Sequence, residues 1–218
     1  MRAFLGKIWW RGVRFGFRLL YNEMAWTYDG VAWMVSLGQW RNWQRTALKH
    51  LPSSEGIILE LAHGTGNLQI DLHTAGYQSI GLDLSRAMGT IARRKLKRHH
   101  IVPRLVRGRG QVLPFPDQCF NAVVTTFPTP FIFEQETLKE IHRVLKPKGQ
   151  LIIVLNGLIT SKDIISRTLE FAYRITGQRS DDSTTDATLE EHFHSIGFHI
   201  ELINEPCKRS IAQLIIAT

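Results

Sequence analysis

From residue 57 to residue 155 the chain alternates short continuous apolar runs with amphipathic stretches of ten or so residues. Ile57–Leu61, Gln78–Asp83, Pro103–Val106, Phe120–Thr126 and Gln150–Leu155 read as strands. Their apolar residues are continuous rather than alternating, as expected of strands buried on both faces of a parallel sheet. Between them lie helices over about Asn67–Ala75, from a Ser85 cap through about Arg98, and over Gln135–Leu145. The last is ended by Lys146-Pro147-Lys148-Gly149. Strands alternating with helices build βαβ units, hence an α/β, doubly wound, mostly parallel sheet covered on both faces.

The two flanks depart from this rhythm. Residues 21–51 read as two helical pieces broken near Gly38, followed by a turn at Pro52-Ser53-Ser54-Glu55-Gly56. In residues 1–20, Lys7, Arg11, Arg14 and Arg18 fall on one helical stripe and Leu5, Ile8, Phe15 and Leu19 on another. Trp9 and Trp10 suit a headgroup interface, against the plainer reading of a helix packed on its own domain, while Gly6, Gly12 and Gly16 weaken the helix. The interrupting cations leave no apolar region of a secretory signal. The chain therefore divides into a helical, lid-like or membrane-facing segment over 1–51 and the α/β domain over 52–218. In the tail, a helix near Ile164–Thr176 precedes a polar, mobile loop at Ser180–Asp186 and a helix near Leu189–Ser195. Phe198–Asn204 and Ser210–Ala217 then form an antiparallel hairpin turning at Glu205-Pro206. These two strands bring the sheet to seven.

Charge adds a second layer. The 218 residues carry a net +8, but residues 1–50 hold +6 and residues 86–109 hold nine cations and no acid, so the remainder is acidic. Two basic blocks suit an anionic partner: a membrane leaflet, a nucleic acid or an acidic substrate, against the plainer reading of a solvated helix face. Cys119 and Cys207 are the only cysteines, which fits a reducing compartment and excludes a disulfide scaffold. Neither has a partner at metal-binding spacing, so no metal site is expected. No run of 18 apolar residues occurs.

The chemistry concentrates at Leu59-Glu60-Leu61-Ala62-His63-Gly64-Thr65-Gly66-Asn67, a strand entering a Gly-rich turn and a helix. Such a turn lies at the carboxyl edge of the sheet, where ligands bind. Gly64 and Gly66 permit close backbone approach. Asp83 ends the next strand, where an acid can accept from both hydroxyls of a ribose. The dinucleotide pattern fails, because Gln69 or Asn67 stands where its third glycine belongs, and there is no Gly-Lys-Ser/Thr of a P-loop.

These residues resemble class I S-adenosylmethionine-dependent methyltransferases of the ubiquinone/menaquinone-biosynthesis C-methyltransferase type (methyltransferase type 11). The resemblance spans about residues 22–156. It is carried in order by Tyr28-Asp29, Leu59–Asn67, Gly81-Leu82-Asp83-Leu84-Ser85-Arg86-Ala87-Met88, Gly108-Arg109-Gly110-Gln111-Val112-Leu113-Pro114-Phe115, Phe120-Asn121-Ala122-Val123 and Leu138–Gly149. It implies a Rossmann-like methyltransferase fold and S-adenosylmethionine as cofactor. Glu60, Ala62, His63, Gly64 and Gly66 would hold the methionine portion and Asp83 the ribose. Leu84 and Val112 would flank the adenine, the loop with Gly110 and Gln111 would read its edge, and Phe127 would line the cleft near the sulfonium. Three departures stand out. Ala62 replaces a glycine, tolerable only at negative φ. His63 is bulky for its place, facing ligand or standing as a surface-loop histidine. Arg109, donor-only, replaces an aspartate that accepts from the adenine amino group, which shifts that contact to the Gln111 carbonyl or to backbone. Asn121, also in place of an aspartate, is milder.

Methyl transfer needs placement and water exclusion more than a general base, so no catalytic residue is assigned. Thr126 and Pro128 follow the fourth strand and, with Tyr21, Tyr28 and Trp33 as lid candidates, would form a substrate pocket; plain core packing is the alternative for the three aromatics. His142 and Arg143 belong to a scaffold helix. The expected acceptor is a small hydrophobic or amphiphilic molecule: a lipid, a quinone precursor or a metabolite. The expected location is cytoplasmic, with possible peripheral contact to an anionic membrane. Two other readings stay open. One is a fold relative without catalysis that serves as a membrane-associated or partner-binding module. The other is a nucleic-acid methyltransferase, disfavoured because Thr125–Pro130 is not the Asn-Pro-Pro-Tyr loop used on base amines.

Overall fold

The computed structural model describes residues 23–52, 56–159 and 183–218, with backbone only over 183–187. The expected amphipathic helix at 1–20, Tyr21, the Ser53–Glu55 part of the turn and the helix near Ile164–Thr176 lie outside them. A 3-10 turn at Ala25–Thr27 leads into α1 (Tyr28–Val35), and α2 (Trp40–Thr46) continues into a 3-10 turn at Ala47–His50. Then follow β1 (Ile57–Leu61), α3 (Asn67–Thr74), β2 (Gln78–Asp83), α4 (Arg86–Arg98), β3 (Leu105–Arg107) and β4 (Phe120–Thr126). A 3-10 turn at Pro130–Phe133, α5 (Gln135–Val144), β5 (Leu145–Ile159), α6 (Ser183–His194), β6 (Ile200–Cys207) and β7 (Ser210–Ala217) complete the order.

The seven strands order as β3-β2-β1-β4-β5-β7-β6, with β7 antiparallel to both its neighbours and the other pairings parallel. The order reverses between β1 and β4, which opens a crevice at their carboxyl ends. Alternate residues of each central strand feed two layers. Leu59, Leu61, Val123, Leu151 and Ile153 pack on one side with α5 and with Phe193 of α6. Ile58, Ala122, Val124, Ile152 and Val154 pack on the other with Trp43 and Ala47 and with Leu68 and Leu72 of α3. Residues 40–50 thus share a buried layer with the sheet. Trp43 is fixed there by a 3.0 Å hydrogen bond from its indole Nε1 to Ser210 Oγ and lies over Gly157, where a Cβ would overlap the ring.

Three expectations are corrected. The hairpin turns at Lys208-Arg209 rather than at Glu205-Pro206, and Arg209 has φ +60°. Pro206 is accommodated within β6 because β6 is the sheet edge, where a missing N–H leaves no ladder bond broken. Lys146–Gly149 is a bulge inside a long β5 rather than a break before it: Phe120 pairs with Leu145 and Ala122 with Gln150, and Lys148 has φ +65°. The polar stretch expected as a loop already belongs to α6 from Ser183 onward.

Candidate functional site

The loop after β1 is shaped by three left-handed residues, Ala62 (φ +57°), Gly64 (φ +52°) and Gly66 (φ +80°). The requirement for a negative φ at Ala62 is therefore not met. The loop is pulled across β2, with the Ala62 N–H donating to the Leu82 carbonyl at 2.7 Å, and the alanine bears the steric cost of that turn. The two glycines have different reasons. A Cβ on Gly66 would lie 2.9 Å from Ala92 Cβ, so this glycine lets the loop sit on α4. A Cβ on Gly64 would meet nothing within 4 Å, so this glycine faces the open crevice.

Asp83 ties the two strand ends together. Its Oδ2 accepts from the Gly64 N–H at 2.9 Å and its Oδ1 from the Ser85 N–H at 2.7 Å. Each oxygen keeps a further lone pair for a ligand hydroxyl. Ser85 caps α4 by accepting from the Met88 N–H. His63 is not a surface-loop residue: it is only 4% exposed and packs over Gly81, where a Cβ would come within 2.9 Å of its ring. Its Nδ1 lies 2.9 Å from the Gly64 carbonyl, which can only accept, so Nδ1 carries the proton. Burial holds its pKa below the ordinary value despite the nearby Asp83 carboxylate.

Glu60 is fully enclosed. Gln69 Nε2 donates to its Oε2 at 2.7 Å, and Ser79 Oγ donates to Gln69 Oε1 at 2.9 Å. Burial pushes the Glu60 carboxyl up to about 8; the Gln69 bond opposes the shift and the charges of Asp83 and Asp71 add to it. Gln69, which broke the dinucleotide pattern, is thus the residue that satisfies the motif's acid.

A polar cluster that local spacing does not reveal joins α1 to this loop. Asp29 accepts from Thr65 Oγ1 (2.6 Å), Asn67 Nδ2 (3.0 Å) and Lys95 Nζ (2.6 Å). Burial alone would raise its carboxyl, but the bonds from Lys95, Thr65 and Asn67 hold it below the usual value. Arg41 and Arg45 both reach Asp71 on the adjoining α3.

On the adenine side of the expected site, Leu84 is 57% and Val112 72% exposed, two large apolar side chains left open at the same edge. The Arg109–Val112 turn is closed by a β-bridge. Gln111 donates through Nε2 to Glu134 at 2.6 Å, which leaves its carbonyl oxygen to accept. Gly110 is buried, and a Cβ there would meet Phe131 at 2.9 Å. Arg143 contacts the carbonyls of Leu113 and Phe115 as well as Asp117 and Glu140, which makes it the post that holds the following loop.

After β4, Phe127 is also left-handed (φ +50°), held by its N–H to the Val154 carbonyl and by ring contact with Trp40 at 3.9 Å. Thr126 is buried and accepts from Gln44 Nε2 at 3.0 Å, and Pro128 beside it is half-buried. Tyr28 meets Trp40 edge-on at 6.3 Å. Trp33 is not core: it is 67% exposed and leans on Gly38. A cavity lined by Asp117, His142, Lys146 and Phe198 lies at the opposite, amino-terminal edge of β4 and β5 and takes no part in this crevice.

The profile of the ubiE/COQ5 methyltransferase family matches residues 17–178. The chain belongs to that family. It is 34% identical over 139 residues to the demethylmenaquinone methyltransferase of Thermus thermophilus, covering 62% of this chain and 63% of that one. To the ubiquinone/menaquinone biosynthesis C-methyltransferase UbiE of Geobacter sulfurreducens it is 30% identical over 144 residues, covering 63% and 56%. The chain thus spans less than two thirds of these curated relatives. Among solved structures, a Methanococcus maripaludis protein assigned to the S-adenosyl-L-methionine-dependent methyltransferases superposes with TM-score 0.67 at 17% identity, over 88% of this chain and 90% of that one. Phosphoethanolamine N-methyltransferase 2 of Haemonchus contortus, in complex with S-adenosyl-L-methionine, superposes with TM-score 0.59 at 16% identity, over 83% and 53%. The fold is the Rossmann-like methyltransferase fold.

Proposed function

We propose that this chain transfers the methyl group of S-adenosylmethionine to a hydrophobic acceptor of the quinone-precursor class. The acceptor class rests on the curated relatives, which are named for demethylmenaquinone and ubiquinone/menaquinone methylation. The observation that carries the cofactor is the Gly64 turn held against β2 by Asp83, with open space above Gly64.

The residues fit such a cofactor. Asp83 has two spare acceptor positions at ribose spacing, and Leu84 and Val112 offer apolar faces for an adenine. The Gln111 carbonyl takes the amino group that Arg109 cannot. The Gly64–Gly66 turn and Ala62 would hold the methionine portion, with the enclosed Glu60 and His63 supporting that turn from behind. When bound, the sulfonium supplies an activated methyl group whose C–S bond breaks as the bond to the acceptor forms, in line. The chain's task is then placement and exclusion of water. Phe127, fixed by Trp40, walls the cleft near the transferring methyl. Thr126, Pro128, Tyr28 and Trp33 would bound the acceptor side, and the helical segment Ala25–Leu37 would act as its lid and membrane-facing part. No helix among the described residues is long and apolar enough to cross a membrane. Contact with an anionic leaflet would be peripheral, from the cytoplasmic side.

The test is calorimetric titration with S-adenosylmethionine and S-adenosylhomocysteine of the intact chain and of Asp83→Ala, with thermal unfolding as a control for folding. Micromolar binding lost in a folded variant supports the reading. Absence of binding by the intact chain refutes it and favours a relative without catalysis, to which the left-handed Ala62 and the donor-only Arg109 would then point.

A further inference from the structure

The first helical segment is inside out. Along residues 25–37 the inward stripe is small: Ala25, Ala32 and Ser36 are buried. The neighbouring stripe at the same helical spacing, Trp26, Gly30, Trp33 and Leu37, faces outward, with Met34 beside it. Trp26 is 78% and Met34 62% exposed. Of nine exposed large hydrophobic side chains among the described residues, five (Met24, Trp26, Trp33, Met34 and Leu37) fall within these few turns. A helix that only covered its own domain would present the reverse pattern.

Beside this apolar face runs the most cationic element of the chain. The 3-10 turn packs on α4, and Trp26 shares a groove with Arg86, Thr90 and Ile91. Met88, Ala92 and Leu96 are the buried stripe of α4, and Arg86, Arg93, Arg94, Lys97 and Arg98 are all exposed. Lys95, by contrast, is taken by Asp29. The acids near this face are Glu23, exposed, and Asp29, so paired. Both elements adjoin the crevice: Asp29 is bonded to Thr65 of the Gly64 loop, and α4 starts three residues after Asp83.

We infer that this composite face, the outward side of the Ala25–Leu37 segment with the cationic side of α4, is a docking surface for an anionic lipid bilayer. It deepens the acceptor reading above and rests on it for its purpose, which is to set the crevice against the phase that dissolves a hydrophobic acceptor. The match is one of chemistry. A bilayer interface offers an apolar layer for Met and Trp side chains and anionic headgroups for the flanking cations at the same time. A nucleic acid would satisfy the cations but give nothing to Met24, Met34 and Leu37. A second copy in a two-fold dimer would set the two cationic helices against each other.

The experiment uses the full chain and vesicles of phosphatidylcholine mixed with phosphatidylglycerol, or of phosphatidylcholine alone. Partitioning is read by sedimentation and by the blue shift of tryptophan emission, and S-adenosylmethionine titration is repeated on each protein. Binding to the mixed vesicles and not to phosphatidylcholine alone is expected. Arg93→Gln/Arg94→Gln should weaken it roughly 25-fold, at about five-fold per cation near a charged surface. Trp26→Ser/Met34→Ser should weaken it about tenfold or more, the effect of withdrawing two apolar anchors from the interface. Both variants should keep the cofactor affinity of the intact chain. Unchanged partitioning of the variants, equal binding to neutral vesicles, a concentration-dependent dimer without vesicle binding, or tighter binding to RNA than to vesicles would each overturn the inference. Loss of cofactor binding by the intact chain with vesicle binding retained would sink the methyltransfer reading and leave the docking face standing.

Discussion

Glu60 is an acid that the fold keeps uncharged, and replacing it by glutamine exposes what that costs. Burial lifts its pKa from 4.5 to about 8, so at pH 7 roughly nine-tenths of the folded molecules carry the proton on this carboxyl. In the unfolded chain the same group ionises near 4.5. Between those values the native state binds more protons than the unfolded state, so stability falls as pH rises through the window, by at most about 1.4 kcal/mol per pH unit. Below it the group contributes no slope. Glu60→Gln keeps the shape and an oxygen to accept from Gln69 and removes the titration. Urea unfolding of the intact chain and the variant from pH 5 to pH 7.5 should show the variant gaining about 2–3 kcal/mol relative to the intact chain across that interval. A difference constant with pH would mean that Glu60 is ionised in the native state and that its burial has been misjudged. The same carboxyl gives a binding signature. If it faces the amino group of the methionine portion, cofactor binding at pH 7 should drive off most of one proton, visible as a binding enthalpy that changes with the ionisation heat of the buffer. A buffer-independent enthalpy would remove Glu60 from the cofactor's contacts.

Two further changes probe the loop around it. Ala62→Gly should stabilise the chain by about 0.5–1 kcal/mol, the left-handed strain of about 1–2 kcal/mol less the extra backbone entropy of glycine. That amounts to a rise of about 1–4 °C in Tm; a lowered Tm would show that the alanine methyl makes packing contacts worth more than the strain. Asp29→Ala should cost about 1 kcal/mol after discount for its half-exposed position, and should weaken cofactor binding because Thr65 and Asn67 lose their shared acceptor. The stability part should vanish as pH falls below the ordinary carboxylate range, since the folded group holds its charge to lower pH than the unfolded one. Unchanged affinity would confine Asp29 to anchoring α1.

What was legible in the sequence is what local pattern determines. Gln78–Asp83 and Phe120–Thr126 are strands over the expected residues because a continuous apolar run between turn signals has few other folds, and Ser85 caps α4 because its hydroxyl needs only a neighbour three residues on. The glycines of the site were legible as glycines but not as to cause: Gly64 is there for its left-handed φ of +52° at the open crevice and Gly66 for contact with Ala92, 26 residues away. Ala62 shows the limit most sharply. Sterics alone demand negative φ there, yet the bond from its N–H to the Leu82 carbonyl lies on another strand, and such a bond can hold a residue in a conformation it disfavours. The same limit hid the Asp29–Lys95 pair, 66 residues apart, and the outward set of Trp26, Trp33 and Met34. An aromatic-rich helix reads as core until its buried stripe is found to be Ala25, Ala32 and Ser36. The inner stripe of small residues lets α1 lie close over Thr65 and Asn67, within reach of Asp29, and that close fit turns the large side chains outward. The lock on the cofactor loop and the exposed apolar face are therefore two consequences of one helix orientation, and a change that rotated α1 would be expected to lose both together.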